Sequence, residues 1–149
     1  MERRISCRAA AIIIKDDRLL AAKNSDYPCY YVIGGGIELN ESSEEAVIRE
    51  VYEETGYKFE IDRLAFVQER FFMINTQEHH EIVFFYLMKA KGNEDINILD
   101  NSFTDQPQKE TLHWLPINDL SNINIVPDFI KTKSFDNITG IEHIVSREA

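Results

Sequence analysis

The chain has 149 residues, 44% of them hydrophobic and 28% charged, which suits a soluble protein with one sizeable core and excludes a disordered segment. Its net charge of −10 argues against non-specific binding to duplex nucleic acid or anionic membrane, so a phosphate ligand would need a cation as intermediary. A single domain spanning 1–149 is expected.

The N-terminal stretch carries charge early, and its longest apolar run, Ala9 to Ile14, is too short for a signal segment or membrane span. A cytoplasmic location is the default expectation. Cys7 and Cys29 supply neither a disulfide framework nor metal-ligand spacing and read as small, partly buried residues. Arg8 to Lys15 reads as a buried strand, Asp16-Asp17 as a turn and Arg18 to Ala22 as a second strand. After the loop Asn24–Cys29, a short strand from Tyr30 to Ile33 runs into Gly34-Gly35-Gly36.

A helix is expected from Ser42 or Ser43, with either serine as cap and Glu44 and Glu45 suiting the positive end of its dipole. It stops at Gly56, where glycine accepts a left-handed conformation. Phe59 to Ile74 reads as one bent strand or two, Asn75 to His79 as a hairpin connection, and Ile82 to Ala90 as a central strand. Lys91 to Lys109 is polar and reads as an exposed loop with at most one short element. His113 to Leu115 is the next strand, Pro116 to Leu120 and Pro127 to Lys131 are short helices, and Ile141 to Val145 docks as a terminal strand or turn. The order implies an α+β fold, with a mixed sheet and helices on its faces.

The chemistry concentrates between Gly34 and Tyr57. At about 100° per residue, Glu50, Glu53 and Glu54 fall within one arc, a costly grouping unless something positive binds there. Val47, Ile48, Val51 and Thr55 are expected to form the buried face. Arg49 has Glu53 and Glu45 at helical i,i+4 spacing and can tie the edge of the cluster. A solvated acidic face is the ordinary reading of such a run. The upstream glycines and Glu41 weigh against it, because glycine lets backbone approach a ligand closely. Hard cations such as Mg²⁺ take a few carboxylates and keep several waters.

This stretch resembles the Nudix box, through Gly35, Glu41, Arg49, Glu50, Val51, Glu53, Glu54 and Gly56, with Tyr57 at the last, usually aliphatic, position. Ile33 stands where the family usually has proline, and Asn40 where it commonly has glycine. The resemblance implies a Nudix-like α/β/α sandwich and hydrolysis of a nucleoside diphosphate linked to another moiety, with Mg²⁺ or Mn²⁺ as cofactor and a small nucleotide as substrate. It implies that Glu53 and Glu54 are metal ligands with the Gly34 carbonyl, and that Glu50 is a ligand or the general base. Arg49 would orient the glutamates, Glu41 would brace the loop and helix, and Gly35 and Gly56 would shape its ends.

The family often adds an acid from outside the box, and Asp105, Glu110 and Glu81 are the candidates, each otherwise a plain surface carboxylate. His79 and His80 adjoin on a strand and so cannot chelate one ion together. Tyr27, Tyr30, Phe71, Phe72 and Trp114 could stack a base, although most should be core; Arg70 could touch phosphate, an exposed strand-end arginine being the default. The competing reading is a Nudix-fold binding or regulatory domain that has lost catalysis, which would be expected to lack box glutamates. A P-loop is excluded because no Gly-Lys-Ser/Thr follows the glycines. No heptad or dominant amphipathic helix indicates an oligomer interface, and no segment names the substrate.

Overall fold

A computed structural model describes residues 5–91, 96–104 and 110–148. Strand β1 (Ile5–Lys15) turns through Asp16 and Asp17 into β2 (Arg18–Asn24). Both aspartates have positive φ, 52° and 58°, the backbone that a two-residue hairpin turn demands. Strand β3 (Tyr30–Gly36) leads to helix α1 (Ser43–Thr55), and β4 (Phe59–Ile74) and β5 (Gln77–Ala90) form a long hairpin. Strands β6 (Ser102–Phe103), β7 (Glu110–Pro116), β8 (Ile125–Val126) and β9 (Glu142–Arg147) complete a mixed sheet of order β6-β7-β2-β3-β1-β5-β4-β9, with β8 beside β3. The pairs β1–β5, β3–β8 and β4–β9 are parallel and the rest antiparallel.

Alternation along β1 divides the core. Ala9, Ala11 and Ile13 pack with Val47 and Val51 of α1. Ala10 and Ile12 face the opposite layer, with Leu120 and Ile130 from 3-10 helices Ile117–Asn122 and Asp128–Thr132. The expected sandwich is therefore present, with short 3-10 turns as its second outer layer. Phe129 seals that layer, edge-on to Phe66 and Phe85 at 5.2 Å each.

Helix α1 begins with a capping box. Glu45 N–H donates to Ser42 Oγ, and Ser42 N–H donates to Glu45 Oε1, both at 3.1 Å. Glu45 is thereby committed to the cap rather than to Arg49. Gly56 ends the helix at φ 79°. Its buried stripe is Ala46, Val47, Val51 and Glu54, while Ile48, expected inside, is 39% exposed. By helical rotation Glu54 falls beside Val47, which places it on the core face instead of with the outward carboxylates.

Other expectations shift in detail. Phe59 to Ile74 is one strand with register shifts between Ile61 and Arg63 and between Leu64 and Phe66. The hairpin connection shrinks to Asn75-Thr76, because cross-strand pairs such as Phe72 with His79 extend the ladder. In the stretch read as an exposed loop, Ile96 and Ile98 are buried. Trp114 Nε1–H donates to the Ile98 carbonyl at 2.7 Å and Lys15 Nζ to that of Ile96 at 2.6 Å, which straps the segment down. Cys7 is exposed rather than partly buried. Among the described residues, no helix is long and apolar enough to cross a membrane.

Candidate active site

Strand β3 delivers its glycines beneath α1. A Cβ on Gly34 would stand 2.4 Å from the Ala9 carbonyl oxygen and 2.8 Å from Ala10 Cα, so the close approach of β1 and β3 excludes a side chain there. On Gly35 it would stand 2.4 Å from the Glu50 carboxyl. Glu50 thus rests directly on the glycine backbone. Asn40 takes the left-handed conformation at φ 68°, so the turn survives without the family's usual glycine.

Arg49 organises the rim. Its Nε and Nη2 donate to the two oxygens of Glu41 at 2.7 and 2.9 Å, a bidentate pair. Nη1 donates to Glu50 at 2.9 Å and reaches both Glu53 oxygens at 3.4 Å, and Nη2 also donates to the Gly36 carbonyl at 3.1 Å. One guanidinium therefore fixes three glutamates relative to the glycine strand. The Arg49 fork, with help from the Glu38 N–H, holds the Glu41 carboxyl down at about 2. Glu53 is the most solvent-open of the box acids, with its side chain 42% exposed.

The inner part of the site is a buried pair of acids. Glu54 and Glu110 are 7% and 9% exposed. Burial first, then the Glu110 charge and a hydrogen bond with Glu110, push the Glu54 carboxyl well above the usual range, with Glu50 adding to the rise and Arg8 opposing it. As two carboxylates neither could donate to the other; with Glu54 protonated the two acids share one hydrogen bond, and Glu54 Oε2 and Glu110 Oε1 meet no partner outside the pair. The Tyr31 hydroxyl donates to the remaining Glu110 oxygen, Oε2. Burial, then the neighbouring Glu110, push that phenol up.

The extra acids thus separate. Glu110, four residues before Trp114, comes to the box from β7. Glu81 lies in β5 and pairs instead with Arg70 at 3.6 Å, and Asp105 lies outside the described residues. Arg70 is not a free strand-end arginine, because Glu148 grips it at 2.6 and 3.1 Å while it lies over Phe72. His79 and His80 stack separately on Phe72 and Phe71, as their alternation requires. Tyr27 is exposed and Tyr30 half-buried against His113. Tyr31 is the residue that reading the sequence missed, since nothing in a strand of three tyrosine and valine positions marks which hydroxyl meets a buried acid.

Among the described residues, no three acidic or histidine side chains already converge into a cage for a metal. The donor set nevertheless fits a hard, water-retaining dication. It is all oxygen, it includes two unpartnered buried carboxylate oxygens, and Glu50 stands over the glycine backbone. A positive ion there would offset the burial and the Glu110 charge that raise the Glu54 carboxyl.

A glycine strand end running into a capped, acid-rich helix, packed on one side of a mixed sheet, defines the Nudix fold class. The chain belongs to the NUDIX family: the NUDIX domain matches residues 6–133. A "MutT-like protein" of Streptomyces ambofaciens is 42% identical over 60 residues, 40% of this chain and 39% of its own length. Mouse (Mus musculus) diphosphoinositol polyphosphate phosphohydrolase 3-alpha is 35% identical over 92 residues, 59% of this chain and 54% of its own. The chain thus spans about half or less of the curated relatives it matches. A NUDIX hydrolase from Nitrosomonas europaea shares the fold over 99% of this chain and 82% of its own, at a TM-score of 0.64 and 16% identity. An ADP-ribose pyrophosphatase from Streptococcus suis does so over 94% and 99%, at 0.60 and 14%.

Proposed function

We propose that the protein hydrolyses the pyrophosphate bond of a nucleoside diphosphate linked to another moiety, using Mg²⁺ or Mn²⁺. The observation that carries this reading is the joining of the rim, where Arg49 fixes Glu41, Glu50 and Glu53, to the buried Glu54–Glu110 pair with its two unpartnered oxygens. Relatives bearing on the substrate class include an "ADP-ribose pyrophosphatase" of Methanocaldococcus jannaschii, 46% identical over 48 residues, and a "Putative 8-oxo-dGTP diphosphatase" of Bacillus subtilis, 39% identical over 46.

Glu53 and Glu54, with the Gly34 carbonyl, would hold the cation, Glu110 would join them from β7, and Glu50 would serve as a further ligand or as the general base. When bound, a dication neutralises charge on the pyrophosphate and lowers the pKa of a water at the site. The chain's own residues do the rest. Glu50 is the better-placed proton acceptor among the rim acids if it is not itself a ligand, because Arg49 holds one of its oxygens while Gly35 leaves room around the carboxyl. Arg49 keeps Glu50 and Glu53 in position, and Glu41 fixes Arg49 in turn. Burial of Glu54 and Glu110 keeps bulk water from diluting their field.

The test is a substrate panel with Mg²⁺: nucleoside triphosphates, ADP-ribose, nucleotide sugars, dinucleoside polyphosphates and capped RNA. Cleavage of at least one small nucleotide at its P–O–P bridge is expected. A folded, Mn²⁺-binding protein that cleaves none of them would make the non-catalytic regulatory reading the correct one.

A further inference from the structure

The cation site proposed above draws on elements far apart in sequence, and one contact joins them. Tyr31 lies on β3, paired with Ala22 of β2 on one side and Val126 of β8 on the other. Its ring packs against the core layer that contains Val47 and Val51. Held on both edges, the residue has little freedom, and its hydroxyl crosses to Glu110 Oε2, 79 residues along the chain. Glu110 is itself the first residue of β7, opposite Asn24, and its carbonyl accepts the Thr104 N–H at 3.0 Å.

We propose that Tyr31 is a positioning residue, whose hydroxyl holds Glu110 so that its free oxygen faces Glu54 and β7 becomes the second arm of the cation site. This inference rests on the function proposed above. The chemistry favours it over a plain core tyrosine. A carboxylate has two oxygens, and fixing one by a phenol leaves the other unpartnered at the place where Glu54 Oε2 is also unpartnered. With one oxygen held by Tyr31, the Glu110 carboxyl cannot turn its other oxygen away from Glu54. The contact ties β3 to β7 beside the helix that carries Glu54.

The test is a double-substitution cycle in Mn²⁺ affinity, read on the full chain by the electron paramagnetic resonance of free Mn²⁺. Thermal denaturation runs alongside to establish that each variant folds. Tyr31→Phe removes only the hydroxyl and is expected to weaken Mn²⁺ binding by about 10-fold or more, the usual loss when the hydrogen-bonding partner of a ligand is removed. Glu110→Gln is expected to weaken binding as well, and adding Tyr31→Phe to it should change nothing further, because the hydroxyl acts through Glu110. A merely structural tyrosine would lower the melting temperature and leave affinity intact. Unchanged affinity in Tyr31→Phe overturns the inference, and so does an equal loss in the Glu110→Gln background. Glu54→Gln separates the two claims: if it binds Mn²⁺ like the native chain, the proposed site itself is wrong, whereas a native chain that binds no Mn²⁺ overturns both.

Discussion

Two adjacent glycines give the sharpest contrast between fold and chemistry. Gly34→Ala drives a methyl into backbone, 2.4 Å from the Ala9 oxygen, so β1 and β3 must part. A loss of about 1–3 kcal/mol or more in denaturant unfolding is expected. Gly35→Ala meets only the Glu50 carboxyl, the end of a flexible side chain, so the fold should survive while Glu50 is displaced. Its turnover should fall at least about 10-fold with a small change in stability; if both variants behaved alike, the placement of Glu50 over Gly35 would be wrong. Glu53→Gln and Glu54→Gln should each reduce kcat by about 10²–10⁴ with the fold intact. Near-normal turnover in both would refute their assignment.

The titration of Glu54 has a definite sign. Its carboxyl ionises in the unfolded chain from about pH 4.5 upward but stays protonated in the cation-free folded protein. The stability it contributes is therefore full below that pH and is lost as pH rises toward the raised folded value. The melting temperature of the chelator-treated protein should decline across the neutral range, and Glu54→Gln should flatten that decline. Glu41 acts oppositely: held at about 2, it contributes stability above its ordinary range that disappears as strongly acidic pH is approached.

At the scale of elements, what was legible in the sequence was local. Ser42, Glu45 and Gly56 announce the limits of α1 because caps are made by side chains next to the backbone they satisfy. Replacing Ser42 by Ala should lower stability by about 1 kcal/mol in chemical denaturation. The Nudix-like spacing likewise marks Arg49 and the box acids in the sequence. What was not legible depends on tertiary placement. Glu54 was grouped with its outward neighbours because Val47 was assigned a different arc, yet rotation puts the two side by side and burial decides the carboxyl's protonation. Glu110 looked no different from Asp105 or Glu81, since a polar flanking sequence says nothing about which acid a β7–β2 register will turn inward. The burial of Ile96 and Ile98, within a segment otherwise exposed as expected, was hidden for the same reason: the anchors Lys15, Tyr57 and Trp114 are distant in sequence.

At the scale of the whole molecule, a sheet with an apolar layer on each face brings β3, α1 and β7 to one site, so cation binding and folding should be linked. Saturating Mg²⁺ should stabilise the fold by about 2.7 kcal/mol at a hundredfold excess over Kd and so raise the melting temperature, and a chelator should reverse both. Loss of that shift in Glu54→Gln would tie it to this site. The most direct measurement is turnover in ¹⁸O-labelled water with Mg²⁺, using whichever small nucleotide the panel shows to be cleaved, or ADP-ribose if none stands out. Two phosphorylated products are expected, with the label in a phosphate of one of them and turnover in Glu54→Gln lower by about 10²–10⁴. Label in the sugar, or a folded, Mn²⁺-binding protein that turns over nothing, would contradict the proposed hydrolysis.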